Sequence, residues 1–439
     1  MSVPFRFIHA ADLHLDSPFR GLSQVPEPLA AMLAASTFSA LRALTETAIN
    51  ERADFIVLAG DLYDDENRSL KAQLQLVKEW EKLRERGIAV FVVHGNHDPL
   101  NGSRVDLKLP DNVTVFGSDR MEYRPAYRTS GELAAFVYGR SFGRRHVVEN
   151  MAESYEADPE GPFHIAMLHG NVGGDASHDP YSPCSLAELT GKRDFDYWAL
   201  GHIHKRQVLH HYPHIVYPGN AQGRNPKETG AKGCYVVDVS AAREVSLRFE
   251  PLDEVRWLET ELPIGGIGTM QQLLAELADA VERLAADAEG RSSMIRLRLT
   301  GRGSLHAELT GTNALATLLG ELQELGSMPS GGQWTWVYDL EAHTAAEWNE
   351  DELAGSDSFA GELLRLAERL AADPDAWRKE ASQAVAPLSG HAKLGRLLSS
   401  EWSGLPESWL AQAKELALGL LAEDKREGRN DREAAGGEN

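Results

Sequence analysis

Three short apolar runs, separated by two amphipathic stretches, organise the first hundred residues. Residues 5–10 (FRFIHA), 54–59 (DFIVLA) and 88–93 (IAVFVV) are short and largely apolar, which is typical of strands buried in a parallel sheet. Between these runs, apolar residues recur close to helical spacing over 28–53 and 69–86, which predicts two helices. The alternation of strand and helix predicts a layered α/β domain.

Short apolar runs follow one another closely between residues 111 and 250. They predict strands at 113–116, 133–138, 163–168, 197–200, 215–217, 234–238 and 245–249. Because the first hundred residues already supply one sheet, we interpret these strands as a second sheet. The predicted fold class is therefore α/β, a two-sheet sandwich flanked by helices.

A different pattern begins near residue 252. Predicted strands at 256–262, 293–300 and 333–340 alternate with predicted helices at 269–286 and 306–325. Such an alternation within about ninety residues indicates a separate small α+β domain.

The C-terminal part of the chain has a helical pattern from about 345 to 425. Breaks in this pattern are predicted near Pro374, Gly390 and Pro406. The last residues are charged and lack apolar anchors, which predicts disorder. We therefore divide the chain into a sandwich domain, an α+β domain, a helical region and a disordered tail, with the bounds 1–252, 253–342, 343–425 and 426–439.

The composition suits a large globular protein in a reducing compartment. A chain of 439 residues is long enough for two or three domains. Its two cysteines, Cys184 and Cys234, are far apart, so we expect no disulfide framework, no zinc ribbon and a cytoplasmic location. The opening sequence lacks a basic segment followed by an apolar one, and no run of about 18 apolar residues occurs. We therefore expect no signal peptide and no membrane span.

The net charge of −22 is unevenly distributed along the chain. Residues 1–250 contain 27 basic and 33 acidic residues, a net charge of −6, whereas the remainder contains 17 basic and 33 acidic residues, a net charge of −16. Strong acidity opposes non-specific binding to nucleic acid. A DNA substrate would therefore require metal ions, local basic patches or a partner to offset this charge.

Polar residues with metal-binding side chains directly follow several of the predicted strands. They are Asp12, His14, Asp61, Asn96, His97, His169, His202 and His204. Because strand ends converge along one edge of a sheet, we expect these distant residues to share one site. Carboxylate, imidazole and amide groups without a thiolate suit Mn²⁺, Fe²⁺ or Zn²⁺, and disfavour the all-oxygen sites typical of Mg²⁺ or Ca²⁺.

The number of candidate ligands predicts two metal ions. Each residue alone could be an ordinary polar group at the start of a loop, but together they provide too many ligands for one ion. Asp61 is the natural bridge, because a carboxylate can bind two cations. Two ions roughly 3.5–4 Å apart suit the hydrolysis of a phosphate ester. His97, beside Asn96, is placed to assist without binding metal.

Five separated motifs resemble the signature of the calcineurin-like metallophosphoesterase superfamily. They are Asp12-x-His14, Gly60-Asp61-x-x-Asp64, Gly95-Asn96-His97-Asp98, His169 and Gly201-His202-x-His204. The resemblance covers roughly residues 4–250. It implies that one metal is held by Asp12, His14, Asp61 and His204. It implies that a second metal is held by Asp61, Asn96, His169 and His202, with His97 as the catalytic residue that binds no metal.

Within the superfamily, the chain looks like the nuclease branch that contains the bacterial SbcD exonuclease subunit. This likeness is carried by the segments 7–16, 60–63, 201–204 and 217–219. The segments 217–224 (YPGNAQGR) and 228–233 (ETGAKG) look most like the YhaO group of SbcD-like DNA repair exonucleases. The resemblance implies that the α+β domain is a nuclease cap and that the helical region docks on an SMC-like coiled-coil ATPase, YhaN-like. It also makes a homodimer an expectation.

Several further residues near the motifs have two interpretations. Asp64 either orients a ligand histidine or is a solvated loop acid, whereas Asp98 is expected to brace its loop. Arg144, Arg145 and Arg224 are candidate contacts for a phosphate backbone, with ordinary surface charge as the alternative. None of these residues decides the function alone.

Other histidines and tryptophans are expected to have structural roles. His9, His94 and His164 lie in or beside predicted strands, so we expect buried or hydrogen-bonded side chains. Trp334 and Trp336 share one face of a predicted strand, which favours core residues over a platform for stacking bases.

These patterns lead to the hypothesis of a cytoplasmic two-metal phosphodiesterase that hydrolyses DNA, with Mn²⁺ as the expected ion. The first alternative is a phosphodiesterase or phosphatase for small nucleotides or phosphoproteins. The second alternative is a metal-bound scaffold subunit with little activity alone. The acidic composition keeps both alternatives open, and the sequence does not distinguish exonuclease from endonuclease activity.

Overall fold

Two six-stranded sheets form the N-terminal half of the chain in a computed structural model. In chain order, their strands are β1 (Phe5–Ala10), β2 (Phe55–Ala59), β3 (Ala89–Val93), β4 (Val113–Val115), β5 (Glu122–Tyr127), β6 (Leu133–Gly139), β7 (His164–His169), β8 (Tyr197–Gly201), β9 (Gln207–His211), β10 (His214–Tyr217), β11 (Gly233–Val239) and β12 (Val245–Pro251). The strand orders are β12-β11-β1-β2-β3-β4 and β5-β6-β7-β8-β10-β9. The structure describes residues 3–19, 25–64, 69–101, 107–174, 179–311, 313–326, 332–348, 353–389, 409–414 and 416–418.

Alternating side chains let the first sheet bury both of its faces. Phe7 on β1 packs at 5.4 Å on Phe55 of β2 and at 5.2 Å on Tyr197 of the second sheet. The next residues, Ile8 and Ile56, belong to the apolar cluster on the opposite face. Successive side chains of a strand point to opposite faces of the sheet. Strands that are apolar at most positions therefore form a sheet with both faces buried.

Helices α1 (Glu27–Asn50) and α2 (Leu70–Arg84) cover the outer face of the first sheet. Leu41 of α1 and Leu76 of α2 belong to the same buried cluster as Ile8. Among the described residues, α1 alone is long and apolar enough to cross a membrane, but half of that stretch is buried within the protein. Its packing on the sheet accounts for its apolar composition.

The second sheet is parallel at its centre and antiparallel at its edges. β6, β7, β8 and β10 run parallel to one another, whereas the edge strands β5 and β9 pair antiparallel with β6 and β10. β5 and β9 were not predicted, because these edge strands are mostly half-buried or exposed and lack an apolar run. The short helix α3 (Leu186–Gly191) contributes Leu189 to the apolar cluster on the outer face. The predicted sandwich flanked by helices is confirmed. The assignment of every strand between 111 and 250 to the second sheet is wrong, because the strands predicted at 113–116, 234–238 and 245–249 are β4, β11 and β12 of the first sheet, where β11 pairs with β1.

A third sheet contains β13 (Val255–Pro263), β14 (Ser292–Gly303) and β15 (Thr335–Ala346), in that order. Helix α4 (Met270–Asp287) joins the first two of these strands, as predicted. Trp334 and Trp336 are buried in one cluster with Trp257. The expectation that they are core residues is confirmed.

The single helix predicted over 306–325 is wrong. The chain forms two helices there, α5 (His306–Leu309) and α6 (Ala314–Leu325). Thr310 and Gly311 separate them. A β-branched residue followed by glycine lowers the local helix propensity, which a count of apolar positions does not detect.

Beyond β15 the described chain is helical, with α7 (Phe359–Ala372) and α8 (Pro374–Ser389). Ser358 caps α7, because its side chain accepts a hydrogen bond from the backbone N–H of Gly361 at 3.1 Å. The predicted break near Pro374 is confirmed, since Pro374 begins α8.

The described chain divides into two compact units. The first takes in residues up to Glu259 together with Val281–Ile295 and Gly326–Tyr338; the second takes in Thr260–Ala280, Arg296–Leu325 and the described residues from Asp339 onward. The domain bounds predicted at 252 and 342 do not coincide with these divisions and stay predictions. The predicted breaks at Gly390 and Pro406 and the tail at 426–439 lie outside the described residues.

Candidate metal centre

The loops that follow β1 and β2 run side by side at one edge of the first sheet. The backbone N–H of Asp12 donates to the Gly60 carbonyl at 3.0 Å, and that of His14 donates to the Asp61 carbonyl at 3.0 Å. Asp12, His14 and Asp61 have φ angles of 52°, 43° and 53°. This left-handed conformation costs roughly 1–2 kcal/mol for each residue with a side chain, so the paired loops must hold it.

Asp12, His14 and His204 form a first cluster, in which one potential ligand atom from each lies within 4.8 Å of the others. The Nε2 atoms of His14 and His204 face each other at 3.1 Å. Each Nδ1 faces a carboxylate, so each Nδ1 carries the proton and each Nε2 presents a lone pair. Two lone pairs directed at one point favour a cation there.

Two buried carboxylates orient these facing histidines. Asp64 accepts a hydrogen bond from His14 Nδ1 at 2.7 Å, and Glu228 accepts one from His204 Nδ1 at 2.7 Å. Such carboxylate–imidazole pairs orient a histidine that binds metal and increase its basicity. Of the two interpretations of Asp64, the structure supports the orienting role. This role of Glu228 is not predicted from the sequence, although Glu228 begins the ETGAKG segment that resembles the YhaO group.

Burial determines the charge of these four residues. It lowers the pKa of His14, and it lowers the pKa of His204 to about 4, against the opposite effect of the carboxylates. Burial alone would raise the pKa of Asp64 and of Glu228, but the hydrogen bonds from the histidines lower both. Neutral imidazoles beside charged carboxylates are ready to bind a divalent cation.

Asp61, Asn96 and His169 form a second cluster. His169 Nδ1 donates to the Ala59 carbonyl at 2.9 Å. Its Nε2 lies 3.0 Å from Asn96 Oδ1 and 3.4 Å from Asp61 Oδ2. Burial would lower the pKa of His169, but Asp61 and Asp12 raise it to about 9. The cluster therefore attracts positive charge, which either a proton or a metal ion supplies.

Asp61 lies between the two clusters. Its Oδ2 is 3.4 Å from His169 Nε2 and 3.7 Å from His14 Nε2. Its Oδ1 accepts a hydrogen bond from the backbone N–H of His97 at 2.9 Å. Burial would raise the pKa of Asp61, but the histidines lower it well below its ordinary value, so Asp61 stays charged. This position is the one expected of a carboxylate that bridges two cations.

His202 is oriented by backbone groups beside the second cluster. Its ring centre is 5.3 Å from that of His169, and its Nε2 faces the Asp179 carbonyl at 2.9 Å. Its backbone N–H is 3.1 Å from both carboxylate oxygens of Asp12. With Nε2 donating to a carbonyl, Nδ1 is the nitrogen through which His202 would bind a metal. Its role as a ligand stays a prediction.

Three glycines make room for His169. A Cβ atom at Gly60 or Gly95 would collide with the imidazole ring, and one at Gly201 would collide with the Ala59 carbonyl. Each of these glycines directly precedes a predicted ligand in the chain. Gly95 and Gly201 are therefore explained by close approach, whereas Gly60 is required both by close approach and by its φ of 98°.

His97 differs from the predicted ligands because its side chain is 34% exposed. Its Nδ1 lies 3.1 Å from Asp64 Oδ1, the oxygen that also accepts from His14. Burial would lower the pKa of His97, but the hydrogen bond to Asp64 and the charge of Asp61 raise it. His97 can therefore carry a proton near neutral pH at an accessible edge of the centre.

Asp98 and His9 have the structural roles that the sequence analysis expected. Asp98 is buried and accepts hydrogen bonds from the backbone N–H of Gly95 at 2.8 Å and from His94 Nδ1 at 2.9 Å. His9 is buried with its Nδ1 3.0 Å from the hydroxyl of Tyr197. Both residues hold the surrounding backbone and side chains in place.

The three arginines predicted to contact phosphate lie in different environments. Arg144 and Arg145 are exposed, and Arg144 is loosely paired with an acidic neighbour at 3.8 Å. Arg224 is mostly buried, and its Nη1 donates to Asp64 Oδ2 at 3.1 Å and to Ser17 Oγ at 2.8 Å. The structure therefore brings Arg224 into the centre and leaves the other two at the surface.

The chemistry of the donor groups fits two divalent cations. Each cluster offers carboxylate oxygen and imidazole nitrogen, and Asp61 lies within reach of both. This mixture suits borderline cations such as Mn²⁺, Fe²⁺ or Zn²⁺. Cys184 and Cys234 are free and buried in apolar clusters, so they add no thiolate to the centre.

Comparison with known families agrees with this geometry. The family described as calcineurin-like phosphoesterase matches residues 5–206, which contain both clusters of ligand atoms. The family described as metallophosphoesterase YhaO, middle domain, matches residues 257–345. Proteins of the first family bind divalent metal ions, and the clusters here can hold them.

Individual relatives extend the likeness over most of the chain. The "Uncharacterized metallophosphoesterase YhaO" of Bacillus subtilis is 40% identical over 370 residues, which is 84% of this chain and 88% of that protein. The SbcD component of the nuclease SbcCD of Bacillus subtilis is 24% identical over 69% of this chain and 84% of its own length. The DNA double-strand break repair protein Mre11 of Methanocaldococcus jannaschii is 26% identical over 53% of this chain and 62% of its own length. The chain therefore belongs to the calcineurin-like metallophosphoesterase family.

Proposed function

We propose that this protein is a two-metal phosphodiesterase that hydrolyses phosphodiester bonds of the DNA backbone. The observation that carries the proposal is the position of Asp61 between two clusters of ligand atoms, with His97 beside it. One ion would be held by Asp12, His14, Asp61 and His204, and the other by Asp61, Asn96, His169 and His202. Two bound divalent cations, most suitably Mn²⁺, lower the pKa of water and offset the charge of phosphate oxygens.

His97 supplies the proton chemistry of the reaction. Because Asp64 holds Nδ1, the ring is oriented and Nε2 is the nitrogen that faces a substrate. The raised pKa favours the protonated form of the imidazole. When the bond between phosphorus and the leaving oxygen breaks, Nε2 donates its proton to that oxygen, and the charge of Asp64 stabilises the imidazolium before transfer.

The choice of DNA rests on the relatives and on the exposed arginines. One relative is named a nuclease and another a DNA double-strand break repair protein. The charges of Arg145 and Asp61 both act on Tyr181, whose ring centre is 5.6 Å from that of His202. Tyr181 therefore lies within electrostatic range of both Arg145 and the metal centre, and Arg144 is the exposed chain neighbour of Arg145. We infer that the two arginines contact phosphates beside the cleaved bond.

A partner belongs to the proposal because of the charge of the chain. The net charge of −16 beyond residue 250 repels DNA. We infer that an SMC-like coiled-coil ATPase, YhaN-like, docks on the helical region 343–425 and supplies the extended surface for DNA. We also infer a homodimer that acts as a DNA repair exonuclease in the cytoplasm. The two free cysteines accord with a reducing compartment.

The same acidity favours a second candidate, a phosphodiesterase for small nucleotides. A dinucleotide carries few charges and needs no extended basic surface. His97 and the two ligand clusters would act on its phosphodiester in the same way. The two candidates therefore differ in the substrate and share the chemistry.

The test is cleavage of end-labelled single- and double-stranded DNA by the full chain with Mn²⁺, with and without the ATPase. Release of mononucleotides, lost on chelation of the metal and restored by Mn²⁺, is the expected result. If the protein hydrolyses a cyclic dinucleotide but cleaves no DNA with or without the ATPase, it is the second candidate, a phosphodiesterase for small nucleotides. A protein that binds two metal ions but hydrolyses neither DNA nor the cyclic dinucleotide would overturn the enzymatic proposal.

A further inference from the structure

The carboxylate of Asp64 receives four hydrogen-bond donors, two on each oxygen. Oδ1 lies 2.7 Å from His14 Nδ1 and 3.1 Å from His97 Nδ1. Oδ2 accepts from Arg224 Nη1 at 3.1 Å and from the hydroxyl of Ser17. Asp64 is therefore shared by a predicted metal ligand, the proposed proton donor and an arginine.

One carboxylate oxygen can serve two imidazole rings only if the whole group is held still. The terminal torsion of an aspartate is soft, so the carboxylate turns readily when one oxygen lacks a partner. Arg224 and Ser17 hold Oδ2, whereas the two rings contact Oδ1. Without them, Asp64 would turn towards His14 or towards His97, and the other ring would lose its partner.

Arg224 is itself fixed through its backbone and its side chain. The side chain is only 12% exposed, and the backbone N–H donates to Glu228 Oε2 at 2.6 Å. The other oxygen of Glu228 accepts from His204 Nδ1. Arg224 therefore touches both of the carboxylates that orient the facing histidines of the first cluster.

The burial of this arginine distinguishes it from the exposed arginines. An arginine that recognises phosphate presents its fork of N–H groups to the substrate. Arg224 instead directs Nη1 to Asp64 and Ser17, whereas Arg144 is 71% exposed in its side chain. The contacts of Arg224 are internal, and they end on the residue that links metal binding with proton transfer.

We propose that Arg224 is a positioning residue, which holds Asp64 so that one oxygen orients His14 towards the metal and His97 towards the leaving group at the same time. The inference rests on the proposed phosphodiesterase function and assigns Arg224 a role different from the phosphate contact predicted from the sequence. Ser17 has the same role with a single neutral donor.

Three variants of the full chain test the proposal. Arg224→Gln removes the charge and the fork, Arg224→Lys keeps the charge, and Ser17→Ala removes only the hydroxyl. Arg193→Gln is the matched control, because it removes an exposed arginine that has no proposed role in metal binding or substrate binding. Circular dichroism and thermal unfolding show which variants fold. If Arg224→Gln does not fold, the other two variants decide the question by the same measurements.

The first measurement is titration of the metal-free chain with Mn²⁺. Arg224→Gln is expected to lower the affinity for one of the two Mn²⁺ ions by about 10-fold or more, as the loss of a hydrogen-bond partner of a metal ligand commonly does. The Mn²⁺ affinity of Arg224→Lys should lie between those of Arg224→Gln and the parent. Ser17→Ala should also lower the affinity, and Arg193→Gln should bind Mn²⁺ as the parent does. Unchanged affinity in the folded Arg224 and Ser17 variants overturns the proposal.

The second measurement separates kcat from KM. With bis-p-nitrophenyl phosphate and saturating Mn²⁺, Arg224→Gln should lower kcat by at least about 10-fold, leave KM within about 2-fold, and shift the pH profile, because His97 loses its orientation. The opposite pattern on DNA, a raised KM with unchanged kcat and a smaller salt dependence, would identify a phosphate contact and overturn the positioning role.

The two proposals fail in different ways. A parent protein that binds no metal or hydrolyses no phosphodiester ends the proposed function. If the parent protein binds metal and hydrolyses phosphodiesters, and the Arg224 variants match it in metal affinity and kcat, only the proposed role of Arg224 is rejected.

Discussion

Glu228 and His204, 24 positions apart in the chain, meet through a hydrogen bond of 2.7 Å between Oε1 and Nδ1. The bond keeps the proton of His204 on Nδ1, so that Nε2 faces the Nε2 of His14 at 3.1 Å. Asp64 does the same for His14 from the other side. The first cluster is therefore built from two histidines, each held by its own carboxylate.

Replacing Glu228 by Gln tests this arrangement. The amide keeps the shape of the side chain but removes the charge that favours a proton on Nδ1 of His204. We expect the affinity for Mn²⁺ to fall by about 10- to 100-fold, measured by titration of the metal-free chain. Glu244→Gln, at an exposed carboxylate, is the control and should bind as the parent does. Equal affinity in both variants would contradict the role of Glu228.

Replacing His97 by Asn separates catalysis from metal binding. Loss of a general acid commonly costs about 10²- to 10⁴-fold in rate, so hydrolysis of bis-p-nitrophenyl phosphate with Mn²⁺ should fall by that order. Elemental analysis should still find the metal content of the parent, since His97 is not among the predicted ligands. His211→Asn, at an exposed histidine, should leave the rate unchanged. Full activity of the His97 variant would reject its catalytic role.

Replacing Gly95 by Ala tests the close packing around His169. The added methyl group would overlap with Asp61 and with the imidazole ring, so the ring or the loop must move. We expect metal binding to be lost and the free energy of unfolding to fall by about 1–3 kcal/mol. Gly320→Ala, in helix α6 with no neighbour near the added atom, should be neutral or stabilise by up to about 1 kcal/mol. Metal binding in the Gly95 variant equal to that of the parent would show that the loop has room.

The buried His9 predicts that acid destabilises the protein. Burial lowers the pKa of His9 to about 3, whereas it is 6.5 in an unfolded chain. Between these values the unfolded state binds the proton and the folded state does not, so stability is lost as pH falls from about 6.5 towards 3. The contribution of His9 between pH 7.5 and pH 5 is about 2 kcal/mol.

The measurement is urea unfolding of the parent and of His9→Gln at both pH values. The other titratable groups remain in both proteins, so the difference between the two pH slopes isolates His9. The variant should lose about 2 kcal/mol less than the parent over this range. Identical slopes would mean that His9 does not stay neutral in the folded protein.

The exposed arginines predict a dependence of DNA binding on salt. If Arg144 and Arg145 each neutralise one phosphate, the double change to Gln should reduce the slope of log K against log salt by about 1.4–1.8 units. Arg193→Gln, in the loop that enters β8 from the opposite end, should leave the slope unchanged. A slope that stays the same in the double variant would place the phosphate contacts elsewhere.

Much of the fold follows from short-range patterns in the sequence. The runs that form β2 and β3 are continuous and apolar, and β1 is largely apolar, because a strand covered on both faces favours apolar side chains. The edge strands β5 and β9 escaped this criterion, because one side of an edge strand meets solvent. The prediction of a single helix over 306–325 was wrong, because the chain breaks at Gly311 although the apolar residues continue at helical spacing.

The candidate ligands were also visible in the sequence, because each follows the end of a strand and strand ends converge. Only the tertiary structure decided which groups hold them, because Glu228 and Arg224 contact partners that lie 24 and 160 positions away in the chain. A hydrogen bond between loops depends on how the sheets bring those loops together. The sequence thus determines which side chains can bind metal and which strands they follow. Packing and burial in the tertiary structure determine the orientation and the charge of those side chains.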